Sequence, residues 1–132
     1  MTATDHAVQL VHAAARAASD KLAQQIIAFD VSEVLAITDA FLLASATSDR
    51  QVKAIVDEIE DKLRAIDAKP IRREGHRDGR WVLIDYGDVV VHVQHEEERS
   101  FYALERLWRD CPSIPVPQPG PPPAESSESD EA

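Results

Sequence analysis

Two strand-like runs, WVLID (81–85) and DVVVHV (88–93), meet at a Tyr86-Gly87 pair, and this hairpin restricts the fold more than any other stretch of the chain. Glycine supplies the positive φ that a tight turn needs. With the turn centred on Tyr86-Gly87, Asp85 faces Asp88, Ile84 faces Val89, Leu83 faces Val90, Val82 faces Val91 and Trp81 faces His92. Side chains alternate between faces along a strand, so one face is Val82, Ile84, Val89, Val91 and Val93. That face is wholly aliphatic and belongs to a core. The other carries Trp81, Leu83, Asp85, Asp88, Val90, His92 and Gln94. Two readings of it stay open. A helix covers it, with Trp81 and His92 as satisfied core residues, or it is an exposed platform where aromatic side chains anchor a protein partner.

Two aspartates and two histidines within IDYGDVVVHVQH (84–95) invite a catalytic or metal-binding reading, and strand geometry opposes it. Asp85 and Asp88 sit at the turn, while His92 lies four residues up the strand, roughly 13 Å away at ~3.3 Å per residue. His92 and His95 differ by three, point to opposite faces and cannot hold one zinc together. Phosphate-loop, nucleophile-elbow, zinc-protease and paired-cysteine motifs are missing from the sequence. No catalytic residue, metal or cofactor is expected.

Outside the hairpin, periodicity alternates between helix and strand. Val8, Val11, Ala15, Ala18, Leu22 and Ile26 recur at helical spacing, with Thr4 placed to cap the start and Asp5 in the first turn. EVLAI (33–37) and FLLASA (41–46) read as two strands around Thr38-Asp39-Ala40. Ser48 and Gln51 form a capping-box pattern ahead of Val52, Ile55, Val56, Ile59, Leu63 and Ile66, one apolar helical face. Glu58/Lys62 and Glu60/Arg64 are i,i+4 pairs on its other side, and Lys69-Pro70 ends it. IRREG is a short strand, HRDG a turn, and 97–110 returns to helical spacing through Phe101, Leu104, Leu107 and Trp108. The order is helix, two strands, helix, three strands, helix. It predicts an α/β (α+β) fold, a mixed β-sheet of about five strands packed with helices.

Charge and composition narrow the function. The formal net charge of −10 argues against general phosphate binding, which needs Lys and Arg. Residues 69–80 nevertheless hold five basic side chains against two acidic ones. That stretch is either a solvated loop or a small RNA contact at the edge of a larger interface. Cys111 is the only cysteine and no apolar run approaches the ~20 residues of a membrane helix, so a soluble cytoplasmic protein is expected. Residues 112–132 contain seven of the eight prolines and four acidic residues. The expected division is a folded domain over 1–111 and a disordered Pro-rich acidic tail over 112–132.

Two longer strings carry a family resemblance. ITDAFLLASATSDRQVKAI (37–55) and WVLIDYGDVVVHVQHEEERSFYALERLW (81–108), with the connecting EG at 74–75, resemble the bacterial ribosomal silencing factor, or Iojap, family. The likeness spans about residues 5–110. Ala40 stands where relatives usually have Tyr, Ala46 where they have Gly, and Gln94 replaces a common aromatic. The resemblance implies a nucleotidyltransferase-like fold without that fold's metal-binding aspartates. It implies a non-enzymatic role: binding large-subunit ribosomal protein fourteen, blocking association of the subunits, and repressing translation during nutrient limitation. It also implies homodimers. On this reading Trp81, Asp85, Tyr86 and Asp88, joined by Tyr102 and Arg106 of the last helix, form the docking surface, while Phe101, Leu104 and Trp108 make core or dimer contacts. A nucleotide-binding protein of nucleotidyltransferase type is the alternative, resting on fold analogy.

Overall fold

The computed structural model describes residues 3–75, 79–102 and 105–116, the side chains of 100–102 excepted. The elements run α1 (Asp5–Asp20), β1 (Gln24–Asp30), β2 (Ala40–Ala46), α2 (Asp49–Arg64), β3 (Arg72–Glu74), β4 (Trp81–Asp85), β5 (Val89–His95), α3 (Glu96–Tyr102) and α4 (Glu105–Trp108). The five strands form one sheet in the order β1-β2-β5-β4-β3. β2 and β5 are parallel and the other pairs antiparallel, which gives the expected mixed sheet with helices against it.

The first helix is capped as expected: the Thr4 hydroxyl accepts from Ala7 N at 3.1 Å. It ends earlier than its apolar stripe suggests. Leu22 turns left-handed at φ +63, Leu22 N donates to Ser19 O, and Ala23 N donates to Ala18 O. That pair of bonds closes a Schellman cap without the usual glycine. Ile26 therefore falls in β1, not on the helix, and the first strand is 24–30 rather than EVLAI. Residues 33–37 instead make a turn, in which Val34 N and Leu35 N both donate to Val31 O. The turn leaves Val34 and Ile37 exposed, so that apolar run never gains the burial a strand needs.

The second helix begins at the predicted Ser48 cap, where Gln51 N donates to Ser48 Oγ at 3.1 Å. The Gln51 side chain departs from a capping box: its Oε1 accepts from Thr47 N at 2.7 Å, and its Nε2 donates to Lys21 O and Leu22 O. One side chain thus ties the end of α1 to the start of α2. The helix stops at Arg64, before the proline, through the same two bonds around Asp67 at φ +65. The Glu58–Lys62 pair forms at 3.6 Å, but Glu60 pairs with Arg73 of β3 and Arg64 with Asp61.

The hairpin register is corrected by two residues. Trp81 pairs with Gln94, Leu83 with His92 and Asp85 with Val90, and Tyr86 N donates to Val89 O. The turn is Gly87-Asp88, with Gly87 at φ +85 in the first central position that a type II′ turn reserves for glycine. A two-residue shift preserves the face of every strand residue. The aliphatic face therefore survives, packed beneath α1 and α2 with Ala14, Ala18, Val52, Ile55, Val56 and Ile59. Past α4 the chain runs along the outer edge of β1: Asp30 N donates to Pro112 O, Ile114 N to Ala28 O, and Ile114 is buried. The first residues of the expected tail thus cover an otherwise open sheet edge. The HRDG turn, apart from Gly79, and the chain from 117 onward lie outside the described residues.

Candidate partner-docking face

The second face of the sheet is covered over only part of its width. On the β1–β2 side, Phe29, Val31 and Leu43 are buried with Ile27, Leu35, Phe41, Trp108 and Cys111 packed against them. Trp108 meets Phe41 edge-on at 5.1 Å, which places α4 over β2. On the β4 side Trp81, Leu83, Asp85 and Val90 are each half-buried. Among the described residues, cover thus extends over the β1–β2 half of this face, while the β4 half is partly exposed.

His92 marks the boundary. It is buried, stacks edge-on with Phe41 at 5.6 Å, and its Nδ1 accepts from Trp81 Nε1 at 3.2 Å. Burial pushes its pKa down to about 4, so the ring is neutral and the proton resides on Nε2. The bond orients the Trp81 indole and leaves it only half-buried, with Leu83, Glu74 and Gly75 around a shallow groove beside it. Gly75 has to be glycine: at φ +79 a Cβ would overlap the Trp81 carbonyl oxygen.

The six residues expected at the docking surface do not share one surface. Trp81 and Asp85 lie on the second face, with Asp85 Oδ1 accepting from Gly87 N at 2.8 Å and Oδ2 facing Arg72 at 3.4 Å. Asp88 is exposed at the turn, where its Oδ2 lies 3.9 Å from His6 Nε2 at the start of α1. Tyr86 is only 8% exposed and belongs to the aliphatic core, because the corrected register puts it opposite Val89 and not at the turn. Burial, then the Glu60 carboxylate, raises its pKa to about 12. Arg106 is exposed on α4, and the Tyr102 side chain lies outside the described residues, as do those of Phe101 and Leu104.

Some residues that shape this region carried no sequence signal. Arg80 bridges Glu97, Glu98 and Asp49 at 2.8, 3.0 and 3.5 Å, clamping the start of α3 to the start of α2. Arg99 is almost fully enclosed under α3, with Nε on Glu105 at 3.1 Å and burial lowering its pKa. Neither residue is recognisable before the helices are placed, since each pairs with groups 6 to 31 positions away in the chain. Among the described residues no group of three or more His, Cys, Asp or Glu is placed to hold a metal, and no helix is long and apolar enough to cross a membrane.

Comparison with known proteins gives consistent matches. A family model described as "Ribosomal silencing factor during starvation" matches residues 4–132. A ribosomal silencing factor of Bacillus subtilis is 46% identical over 99 residues, covering 75% of this chain and 84% of its own. One from Halalkalibacterium halodurans is 42% identical over 106 residues, covering 80% and 91%. The fold is similar to the crystal structure of a Chromobacterium violaceum protein, with a TM-score of 0.74, 31% identity and 93% and 94% coverage.

Proposed function

The chain belongs to the ribosomal silencing factor family, and from this premise we propose that it binds the large ribosomal subunit through ribosomal protein fourteen. Seated there, it blocks joining of the small subunit and lowers translation when nutrients are scarce. The action is stoichiometric occlusion in the cytoplasm and requires no catalysis.

The observation that carries this reading is the half-buried β4 side of the second sheet face. Trp81, Leu83 and Val90 offer a half-buried apolar patch, and Trp81 is held in place by His92 rather than free to collapse. A large, oriented aromatic is the usual anchor of a protein interface. Asp85 and the exposed Asp88 add negative charge beside it, and Arg106 contributes from α4. The acidic chain suits a basic ribosomal protein, because complementary charge speeds encounter and fixes register. Tyr86 supports this surface from the core and is not a contact. Homodimers belong to the same proposal, with the exposed Leu107 as the apolar side chain α4 offers.

Co-sedimentation with purified large subunits tests the proposal, alongside light scattering of subunit joining. Binding with inhibited joining is expected, and Trp81→Ala weakens binding by more than ~1 kcal/mol. A folded Trp81→Ala variant that binds like the parent removes the docking face, and an absence of binding removes the function.

A further inference from the structure

The two outer edges of the sheet differ. The β1 edge is paired with residues 112–114, whereas among the described residues nothing pairs with the outer edge of β3. All three residues of β3 are exposed, and Ile71, just before it, is 69% exposed. An open strand edge offers its backbone N–H and C=O groups to another strand, and a row of like charges keeps two such edges apart. β3 carries no such row, because it reads Arg72-Arg73-Glu74. When two copies run antiparallel about Arg73, Arg72 of each faces Glu74 of the other. Arg72 and Glu74 both stand on the mixed face, since their partners in β4 are Asp85 and Leu83. Within one chain they lie 3.0 Å apart with side chains 61% and 57% exposed, and Arg72 also lies 3.4 Å from Asp85. Arg73 points the other way, opposite Ile84, where Glu60 of α2 lies 3.2 Å from its Nη1. The like charges that meet at the centre are therefore each neutralised within their own chain.

From this arrangement we infer that a second copy of the chain joins at the β3 edge and extends the two five-stranded sheets into one. Antiparallel pairing about a twofold axis through Arg73 is isologous and closes as a dimer. It sets Arg72 opposite Glu74 twice, and it places Ile71 of each copy beside Gly75 of the other, where no side chain competes for space. Opposite charges directly across a strand pair stabilise it, and like charges oppose it. A second copy fits this edge because the edge is its own complement: one strand supplies both the cation and the carboxylate. The axis stands perpendicular to the sheet, so both mixed faces, each with its Trp81, look the same way. The contact is short beside a standard interface of ~1,600 Å², so the association is weak. The inference rests on the homodimer part of the reading above and gives it an interface at the sheet edge, apart from Leu107 on α4.

Sedimentation velocity of the full-length chain, from micromolar to millimolar concentration, tests it. The parent chain is expected to pass from monomer to dimer across that range. Arg72→Glu and Glu74→Arg, both at exposed sites, each set like charges opposite one another and weaken association about tenfold. Glu74→Arg also makes the acidic chain less negative, so general charge repulsion predicts the opposite result for that variant. An equimolar mixture of the two variants regains the parent's association, since each then meets opposite charges at both positions. Leu107→Asp leaves association unchanged. The inference is overturned if the parent stays monomeric throughout, if either charge variant associates like the parent, or if the mixture fails to associate. Loss of the dimer in Leu107→Asp overturns it too, by placing the contact on α4. No ribosomal subunit enters these measurements, so their failure leaves docking through Trp81 standing. Failure of co-sedimentation with the charge-swap pattern intact removes only the docking.

Discussion

His92 couples the ionisation of one ring to the stability of the fold. Its pKa is held near 4 by burial, while the same side chain in an unfolded chain titrates near its ordinary value of 6.5. Between these values the unfolded state binds the extra proton, so stability falls as pH drops through 6.5 and levels off below about 4. The full effect is on the order of 3 kcal/mol. Asp30 adds a loss in the same direction at lower pH. Burial alone would raise its pKa, but hydrogen bonds from the Ser32 hydroxyl and the Ala3 and Ser32 amides outweigh burial and lower it. Urea unfolding at pH 7 and pH 5 should show a smaller pH loss in His92→Phe than in the parent. Equal losses would mean that His92 charges freely in the fold. Tyr86 shows how residue-scale reading fails: beside Gly87 it looks like a turn residue, yet one step of turn placement moves it from surface to core.

At the scale of elements, the boundaries that differ from expectation share a cause. Both long helices end in left-handed caps built on Leu22 and Asp67 in place of glycine, so no glycine signals either stop. In the hairpin, a single glycine serves a turn centred on either side of it, and only pairing across the sheet chooses between them. Gly75 has the opposite character, since its positive φ and its contact with the Trp81 carbonyl leave no room for a side chain. Gly75→Ala is expected to cost more than about 2 kcal/mol in urea unfolding and to displace Trp81 with it. A cost near zero would show that the β3–β4 connection yields, and that Trp81 is less firmly placed than its bond to His92 implies.

Among the described residues the molecule is asymmetric: one sheet face is sealed by α1 and α2, and the other is covered in part by α3 and α4. Residues 112–114 cover the free edge of the sheet by pairing with β1, and Ile114 is buried in the core shared with α1 and α2. A chain ending at Val116 should therefore unfold like the full-length protein, whereas one ending at Cys111 should lose about 2–3 kcal/mol, from one buried isoleucine and two hydrogen bonds. Faster amide exchange at Asp30 in the shorter chain would accompany that loss. If the two truncations are equally stable, the segment contributes nothing to the fold. Neither truncation should alter co-sedimentation through Trp81, which lies three strands from β1 in the sheet.

Local physics was enough for part of this protein. Alternation in WVLID and DVVVHV determined a hairpin with one aliphatic face, and the Ser48 cap and the Val52–Leu63 stripe determined the amphipathic helix α2. Tertiary structure alone decided how the mixed face is covered, that Trp81 rests on His92, and that Glu60 of α2 pairs with Arg73 of β3. The reason is range. Caps, turns and periodicities act over a few residues, whereas coverage of a sheet and convergence of charges depend on where distant segments finally pack.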